Sequence, residues 1–333
     1  MTTTGITWPR RVSIREVGPR DGFQSLDRFL PTTDKLDIIS SLTNAGVTRV
    51  ETTSFVSRRA VPQLKDAAEV MAGVLQQRQA PPHAGRPAVT HAAMVADAAG
   101  AERAAAAGVD RLVAVISATD AHNRANVRRS VDASLADLDP VFARAGAIPV
   151  IGAIAVSFGC PYQGNVATGD VFAIARAFID RGAIAVMLAD TTGMATPMRV
   201  TKIVTGFQQK FTDTELILHF HNNRGIAMAN LLAALLAGGR TFDTAVGGIG
   251  GCPYVPLAAG NLATEDVVFM LEDMGISTGI DLSGIIAAAR LLEKRLGMTL
   301  PGQVMKSGPR ISDPRIPEQA PGEKCGSVGH RNH

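Results

Sequence analysis

Short runs of apolar and β-branched residues alternate with longer segments of helical periodicity along most of the chain. Runs of the first kind are typical of buried strands, and the longer segments are typical of amphipathic helices. The pattern predicts strands at 12–17, 49–55, 88–94, 111–117, 150–158, 183–190, 216–222 and 242–249. It predicts helices at 33–45, 61–78, 95–107, 130–146, 168–181, 196–211, 225–238 and 264–275, and an extra helix at 281–296.

Strands that alternate with helices in this way form parallel sheets, because parallel neighbours need a crossover connection. One alternative is an open doubly wound sheet, which is expected to carry a glycine-rich phosphate loop after its first strand. Residues 18–22 read Gly-Pro-Arg-Asp-Gly at that position and do not match such a loop. Eight strand–helix units fit a closed barrel better. We therefore predict the α/β class and a single (β/α)8 TIM barrel with an extra C-terminal helix.

The composition of the chain changes near residue 300. Residues 1–300 carry the periodic pattern and are predicted to form the barrel domain. Residues 301–333 are rich in Pro, Gly, Ser and charged residues and have no periodicity. Segments of this composition rarely bury enough apolar surface to fold by themselves. We expect a flexible or peripheral C-terminal tail.

Composition and charge exclude several classes of protein. Hydrophobic residues make up 46% of the chain and charged residues 19%, which leaves enough apolar surface for a large core. The formal net charge is only +3 and the Lys and Arg residues are scattered, so nucleic acid is not an expected partner. No apolar run approaches the roughly 18 residues needed to cross a bilayer, so we expect no membrane association.

The cysteines and the N-terminal residues indicate the cellular compartment. Cys160, Cys252 and Cys325 are few, widely spaced and odd in number, which argues against a disulfide framework. Residues 1–11 contain no apolar segment of the kind that a secretory signal needs. We expect a cytoplasmic protein.

Polar residues suited to chemistry recur where the predicted strands end. In a (β/α)8 barrel these strand ends and the loops after them form the active site. The residues concerned are Arg20, Asp21, Glu51, Ser54, Ser117, Asp190, His219, His221, Cys252 and Asn261. Because so many of them fall at one end of the barrel, we predict a functional site there.

His219 and His221 are two residues apart on a predicted strand, so their side chains point to the same face. Two imidazoles on the inner face of a barrel would converge, as metal ligation requires. The alternative is one core histidine hydrogen-bonded to the backbone and a second histidine at the rim. The pair by itself leaves both interpretations open.

Three carboxylates in this set also have ordinary structural explanations. Asp21 could stabilise a turn or cap a helix, and Asp190 could likewise be a cap. Glu51 lies on a buried strand and needs a partner if it is charged. Arg20 is the natural partner, because a guanidinium group can donate two parallel hydrogen bonds to a carboxylate.

A glycine-rich run at 247–251 precedes Cys252 and Pro253. Such a run indicates a backbone that passes close to a ligand or bends sharply over the barrel mouth. The alternative is a flexible linker, but the Cys-Pro-Tyr sequence and the helix start after Asn261 argue against it.

Taken together, these motifs resemble the 3-hydroxy-3-methylglutaryl-CoA lyase family of metal-dependent barrel lyases. The resemblance runs in register from about residue 10 to about residue 300. The matching segments are 16–24 (EVGPRDGFQ), 51–57 (ETTSFVS), 158–162 (FGCPY), 190–193 (DTTG), 219–221 (HFH), 250–254 (GGCPY) and 260–266 (GNLATED). The Gly-Gly-Cys-Pro-Tyr segment is much more discriminating than Arg-Asp-Gly or His-X-His.

The resemblance implies cleavage of a 3-hydroxyacyl-CoA between C2 and C3, with 3-hydroxy-3-methylglutaryl-CoA as the expected substrate. It implies a Mg²⁺ or Mn²⁺ ion held by Asp21, His219, His221 and Asn261. Arg20 would stabilise the enolate oxygen, Glu51 would hold Arg20, and Cys252 would take part in proton transfer. We further expect Asp190 as a catalytic group, and substrate contacts from Gln24, Ser54, Arg224 and Glu265. A homo-oligomer is also implied.

Two departures from the family pattern bear on the substrate. Residues 222–225 read Asn-Asn-Arg-Gly where the family commonly has Asp-Thr-Tyr-Gly, and Ser25-Leu26 replaces Asn-Glu. The lost carboxylate beside His221 changes the charge around the cation. Arg224 adds a cation that could meet a substrate carboxylate or the coenzyme A phosphates. Cleavage of a related ester such as citramalyl-CoA is therefore the first alternative, and residues 90–93 are another place where the difference could arise.

Three further interpretations assign the barrel a different activity or none. The condensing acyl-CoA-dependent synthases share Arg-Asp-Gly and His-X-His, but they usually carry a long C-terminal regulatory extension, for which we expect no room after residue 300. Two histidines and a carboxylate also bind iron in oxygenases, although those sites usually belong to β-sandwich-like folds. The last interpretation is a barrel that keeps the ligands without the chemistry.

Overall fold

Eight parallel strands close into a barrel in sequence order, with β1 paired to β8. The computed structural model describes residues 7–78, 88–251 and 260–310. The strands are β1 Ser13–Glu16, β2 Arg49–Ser54, β3 Thr90–Val95, β4 Arg111–Ser117, β5 Val150–Ala155, β6 Ala185–Asp190, β7 Glu215–Phe220 and β8 Thr241–Thr244. The predicted (β/α)8 barrel is confirmed, and each predicted strand has a counterpart.

Helices cover the outside of the barrel. Within the described residues they are α1 Thr32–Asn44, α2 Ala67–Arg78, α3 Ala98–Ala106, α4 Asp120–Val127, α5 Val131–Ala136, α6 Leu138–Ala145, α7 Thr168–Asp180, α8 Pro197–Lys210, α9 Ala227–Leu236, α10 Thr264–Asp273, α11 Leu282–Leu296 and α12 Val304–Ser307. The predicted extra helix is α11, which packs against α1 and α10. None of the helices in these ranges is long and apolar enough to cross a membrane.

Helix predictions differ from the structure in three places. The helix predicted at 61–78 begins at Ala67, after a 3₁₀ turn at Pro62–Leu64. The segment 130–146 forms two helices, α5 and α6, which meet at Asp137. No helix is predicted at 120–127, where α4 forms. Its signals are polar: Thr119 Oγ1 accepts a hydrogen bond from the His122 N–H (3.3 Å), and Asp120 pairs with Arg124 one turn later (3.0 Å). A helix that depends on polar contacts of this kind cannot be predicted from hydrophobic periodicity.

Predicted strands five, seven and eight extend past the observed ones. β5 ends at Ala155 because Val156 has a φ of 53°, a left-handed conformation that a strand cannot contain. β7 ends at Phe220, and His221 beyond it forms an isolated bridge with Asn261. β8 ends before a 3₁₀ turn at Val246–Gly248, in which Gly247 has a φ of 67°. Each strand therefore gives way to a loop within the active-site end of the barrel.

The predicted tail begins at residue 301, but residues 301–310 contact the barrel. Met305 is 2% exposed, and its carbonyl accepts a hydrogen bond from Arg290 Nε (2.8 Å). The Asp266 carboxylate accepts one from the Val304 N–H (2.6 Å). The packed part of the chain therefore extends past the predicted boundary at residue 300. The rest of the predicted tail, 311–333, lies outside the described residues.

The barrel interior has an apolar half and a charged half. The apolar half consists of Ala92, Val113, Ile151, Ala153, Ala185, Met187 and Ile217, which come from β3 to β7. The charged half consists of Arg15, Glu51, His219 and Asp243, which come from β1, β2, β7 and β8 and are each at most 4% exposed. A second apolar layer between strands and helices forms the main core. The fold can therefore tolerate buried charge on one side of the barrel, because the apolar layer supplies most of the stabilising burial.

Candidate active site

The chain leaves β1 through a π-helical turn, Gly18–Gly22, that contains Arg20 and Asp21. The Gly18 N–H donates to Glu16 Oε1 (2.8 Å), and a Cβ at position 18 would lie 2.6 Å from that oxygen. A larger residue at position 18 would therefore displace the Glu16 carboxylate from this contact. Single π-helical turns are frequent at functional sites, and this one places both polar side chains at the barrel mouth.

Arg20 is buried and held by two carboxylates. Its Nε donates to Glu51 Oε1 (2.5 Å), and its Nη1 donates to Asp21 Oδ1 (2.5 Å). A β-bulge between Glu51 and Thr53 shifts the register of β2 against β3 at this point. The Arg20–Glu51 pair expected from the sequence is therefore present, and it fixes the guanidinium group in one orientation.

Asp21, His219 and His221 bring three potential metal ligands together. One ligand atom from each lies within 4.8 Å of the others, and all three residues are buried. His221 Nε2 lies 3.4 Å from Asp21 Oδ2, and the ring centroids of the two histidines are 4.9 Å apart. The two imidazoles thus converge on the inner face of the barrel, as metal ligation would require.

Asn261 reaches the same carboxylate. Its Nδ2 donates to Asp21 Oδ2 (2.7 Å) and to the Ile249 carbonyl (3.1 Å). Its Oδ1 is buried and accepts no hydrogen bond from any described residue. A buried amide oxygen without a donor is costly, and it is an atom that a hard cation accepts as a ligand. The four residues expected to hold a cation therefore lie side by side.

The surroundings shift the pKa values of the cluster in different directions. Burial raises the pKa of Asp21, but the Arg20 charge and the two histidines outweigh burial and hold it well below its usual range. Burial lowers the pKa of His219, yet the neighbouring carboxylates of Asp243 and Asp21 bring it above its ordinary value. Burial holds the pKa of His221 below its ordinary value. Asp21 is therefore ionised at neutral pH, the state that a cation requires.

These residues fit a divalent cation. One carboxylate, one amide oxygen and two imidazole nitrogens are a donor set that a divalent cation accepts. Besides Asn261 Oδ1, His221 Nδ1 is buried without a hydrogen-bond partner in the described part of the chain. Other buried atoms nearby, including His219 Nδ1 and Asp243 Oδ1, also lack one among the described residues, so the fit rests on the donor set and on Asn261 Oδ1 beside Asp21.

A cavity of about 830 Å³ adjoins the cluster. Its polar wall contains Arg20, Asp21, Gln24, Ser54, His219 and His221. Its apolar wall contains Met94, Val115, Ala153, Ala155 and Met187, and three arginines also line it, Arg59, Arg128 and Arg129. A volume of several hundred Å³ with few convergent polar groups is typical of a small-molecule site.

Gln24 and Ser54, which were expected to contact a substrate, both line this cavity. Gln24 Nε2 donates to Asp21 Oδ1 (3.1 Å), so it also helps to orient the carboxylate. Ser54 closes β2, and its Oγ accepts a hydrogen bond from the Val56 N–H (3.4 Å).

Asp190 and Glu265 are buried and support the backbone near the site, but neither lines the cavity. Asp190 Oδ1 accepts hydrogen bonds from the N–H groups of Met194 (2.7 Å) and Ala195 (3.0 Å). Glu265 Oε2 accepts one from the Gly247 N–H (3.0 Å). Burial raises the pKa of Asp190 to about 6 and that of Glu265 to about 8. The observed contacts of both carboxyl groups are with loops.

Arg224 is not among the described residues that line the cavity. Arg224 is exposed, and its Nη1 donates to the carbonyls of Thr192 (2.7 Å) and Gly193 (2.9 Å). Its contact with a substrate stays a prediction. Cys252 lies outside the described residues and is joined to Gly251, which lines the cavity.

Three polar residues near the cluster are not predicted from the sequence. Arg15 and Asp243 are buried inside the barrel, and Asp243 Oδ2 lies 3.3 Å from His219 Nδ1. A charged residue within a buried strand is the signal that could have found them. His122 lines the cavity from α4, the helix that the pattern does not predict.

A (β/α)8 barrel whose mouth holds a buried arginine beside three potential metal ligands defines the class of barrel enzymes with a polar active site at the C-terminal strand ends. The family model described as HMGL-like matches residues 11–292, and the chain belongs to this family. It is a carbon–carbon lyase.

Two relatives and one solved structure illustrate the similarity. A hydroxymethylglutaryl-CoA lyase from Bacillus subtilis is 37% identical over 305 residues, which cover 90% of this chain and 99% of the relative. An (R)-citramalyl-CoA lyase from Chloroflexus aurantiacus is 38% identical over 313 residues, which cover 93% of this chain and 98% of that relative. An HMG-CoA lyase from Acinetobacter baumannii, solved with coenzyme A and 3-methylmalate, has a TM-score of 0.83 at 38% identity and covers 90% of this chain and 96% of that one.

Proposed function

We propose that this protein cleaves 3-hydroxy-3-methylglutaryl-CoA into acetyl-CoA and acetoacetate with a bound divalent cation, Mg²⁺ or Mn²⁺. The observation that carries the proposal is the convergence of Asp21, His219 and His221 with Arg20 on one cavity wall. The similarity to a bacterial hydroxymethylglutaryl-CoA lyase over nearly its full length supports it.

The reaction makes three demands on the site. A proton must leave the C3 hydroxyl, the C2–C3 bond must break, and C2 must gain a proton. The electron pair of the broken bond moves onto C2 and the thioester oxygen, which makes an enolate. A bound cation would supply a Lewis acid that lowers the pKa of the hydroxyl and orients the substrate. Asp21, His219, His221 and Asn261 are the residues that would hold it.

Arg20 is proposed to stabilise the enolate oxygen. Its guanidinium group lines the cavity and keeps its charge at any working pH. Glu51 and Asp21 hold it in place before the substrate arrives, so little reorganisation is needed when negative charge develops. Glu51 therefore contributes by positioning Arg20.

Cys252 and Asp190 are proposed for proton transfer. Cys252 follows Gly251 at the cavity wall, and a thiol with a pKa of about 8.5 in water can donate a proton to an enolate carbon near neutral pH. Burial brings the pKa of Asp190 to about 6, a value suited to exchanging protons near neutral pH. Asp190 Oδ2 is buried and accepts no hydrogen bond from the described residues.

Cleavage of citramalyl-CoA is the second candidate function. The relative with that activity in its name is as similar to this chain as the hydroxymethylglutaryl-CoA lyases are. The two substrates share the 3-hydroxy-3-methyl thioester, but the free carboxylate of citramalyl-CoA is one carbon closer to the hydroxyl. The same ligands and Arg20 would therefore serve both reactions. The departures at Asn222 and Arg224 keep this candidate open.

Acetyl-CoA release is the direct test. Metal-stripped enzyme is expected to be inactive and to recover with Mg²⁺ or Mn²⁺ on 3-hydroxy-3-methylglutaryl-CoA, because the substrate oxygens need the cation. The same assay with (R)- and (S)-citramalyl-CoA ranks the second candidate by kcat/KM. Cleavage of citramalyl-CoA alone would assign that ester as the substrate and leave the proposed mechanism unchanged. No cleavage of any of the three by cation-loaded enzyme would refute both candidates.

The three arginines on the cavity wall suit the coenzyme A phosphates. Arg128 is exposed at the end of α4. We expect Arg128→Glu to raise KM for the acyl-CoA roughly tenfold at low salt and to leave kcat unchanged, because reversing one charge at a binding site costs about 1–2 kcal/mol. Initial rates at several salt concentrations measure the effect.

Two controls separate this effect from general damage. The corresponding acyl-pantetheine thioester lacks the nucleotide phosphates, so Arg128→Glu should not change its KM. Lys202→Glu makes the same charge reversal on the exposed surface of α8 and should leave both substrates unaffected. An equal rise of KM for both thioesters would show that Arg128 does not bind phosphate.

We also propose that the enzyme is a cytoplasmic homo-oligomer. The family resemblance of residues 10–300 and the small number of cysteines support this proposal. Light scattering on the full chain at micromolar concentration measures the mass directly, and a mass equal to one 34.9 kDa chain would contradict it.

A further inference from the structure

A second layer of buried charge lies inside the barrel beside the ligand cluster. It consists of Arg15 on β1 and Asp243 on β8, which are register partners in adjacent strands. Their side chains are 2% and 0% exposed. Neither lines the cavity. Two charged groups this deep in a barrel need a reason, because desolvation costs several kcal/mol for each ion.

Arg15 joins two carboxylates that belong to different parts of the site. Its Nη1 lies 3.2 Å from Asp243 Oδ1, and its Nη2 donates to Glu51 Oε2 (3.0 Å). Asp243 Oδ2 in turn lies 3.3 Å from His219 Nδ1. The other oxygen of Glu51, Oε1, accepts a hydrogen bond from Arg20 Nε. Each carboxylate therefore has one contact with Arg15 and one with a proposed active-site residue.

The contacts continue to the second imidazole. Arg20 Nη1 donates to Asp21 Oδ1, and Asp21 Oδ2 lies 3.4 Å from His221 Nε2. One buried series thus runs His219, Asp243, Arg15, Glu51, Arg20, Asp21, His221. Arg15 is the third of these seven residues and joins Asp243 to Glu51. A change at Arg15 reaches His219 through one carboxylate and Arg20 through the other.

We propose that Arg15 is a positioning residue that sets the orientation of the cation ligand His219 through Asp243, and that of Arg20 through Glu51. This inference rests on the proposed function, since it concerns the same cation site. Histidine ligands of metals commonly donate their second ring nitrogen to a carboxylate, which fixes the ring. Here the carboxylate is itself fixed, by a guanidinium group whose planar donors match two acceptors at once.

Cation binding without substrate is the measurement that tests the inference. Mn²⁺ titration followed by electron paramagnetic resonance is expected to show affinity roughly 10–100-fold weaker in Arg15→Met and in Asp243→Asn, the usual effect of losing a partner of a metal ligand. Because both variants break the same connection, the double variant should be no weaker than the weaker single variant. Arg15→Lys keeps the positive charge but lacks the planar guanidinium donors, so its Mn²⁺ affinity should lie between those of the wild type and Arg15→Met.

Arg49→Met is the matched control. Arg49 is also an arginine on a barrel strand, and it forms a two-bond ion pair with Glu215 (2.6 and 3.1 Å). It has no contact with the His219 to His221 series. Its loss should lower the melting temperature as Arg15→Met does and leave Mn²⁺ affinity unchanged. If Arg15 had only a structural role, Arg15→Met and Arg49→Met would both keep wild-type Mn²⁺ affinity.

The outcomes separate this inference from the proposed function. Wild-type Mn²⁺ affinity in folded Arg15→Met, or additive losses in the double variant, would overturn the role of Arg15, even if the wild type cleaves its substrate. Wild-type protein that binds Mn²⁺ but cleaves none of the thioesters would refute the proposed substrates and leave the Arg15 test intact. Wild-type protein that binds no Mn²⁺ would overturn both.

Discussion

His219→Ala is expected to lose the divalent cation and almost all turnover together. His219 offers one of the ligand atoms that lie within 4.8 Å of one another, and alanine provides no replacement donor. Loss of a residue that hydrogen-bonds a metal ligand lowers metal affinity roughly 10–100-fold. Loss of the ligand itself should therefore lower it more than about a hundredfold. Asp21→Ala should behave in the same way. Mn²⁺ titration and acetyl-CoA release, measured on the same preparations, give the two quantities.

The control for this prediction is another buried histidine. His91 lies on β3, and its Nδ1 is 2.8 Å from Thr52 Oγ1, outside the ligand cluster. His91→Gln keeps a side chain that can hydrogen-bond Thr52 and should keep wild-type Mn²⁺ affinity. Circular dichroism reports whether each variant is folded. Undiminished Mn²⁺ binding by both His219→Ala and Asp21→Ala would contradict the ligand assignment.

The strands and the location of the site follow from local sequence pattern. A buried parallel strand is a short, mostly apolar run, and a polar residue marks its end, such as Asp190 at the end of β6 or His219 near the end of β7. Because parallel barrel strands all end at one mouth, the position of a residue along its strand is enough to place it at the site. Strand position therefore predicts that these polar residues meet at one mouth, whereas the ligand set Asp21, His219, His221 and Asn261 is implied only by the family resemblance.

Other features depend on contacts between distant residues. Arg15 and Asp243 are 228 positions apart, and their pairing exists only because β1 and β8 close the barrel. The orientation of Glu51 depends on a bulge that a period-two pattern does not show. α4 is stabilised by polar capping contacts, so hydrophobic periodicity cannot detect it, and with it His122 was missed.

Arg20→Met is expected to give the opposite combination, lower turnover with cation binding retained. Removing one preorganised donor at a developing oxyanion costs about 3–4 kcal/mol, or roughly 10²–10³-fold in kcat. The fold should survive, because Glu51 keeps its hydrogen bond from Arg15 (3.0 Å) and Asp21 keeps that from Asn261 (2.7 Å). Neither buried carboxylate is left without a partner, which would otherwise be the most damaging consequence.

The sign of the change in cation affinity distinguishes Arg20 from the ligands. The Arg20 guanidinium lies 2.5 Å from Asp21, so it would repel a cation bound by that carboxylate. Loss of Arg20 removes this repulsion and should leave Mn²⁺ affinity equal or tighter. Arg20→Lys restores the charge but cannot donate to Glu51 and Asp21 in the same planar geometry, so kcat should recover only in part. Steady-state rates at saturating Mn²⁺ measure this series. If Arg20→Met stays within about tenfold of wild-type kcat, Arg20 does not carry the enolate charge, and its ion pairs serve only to hold Asp21.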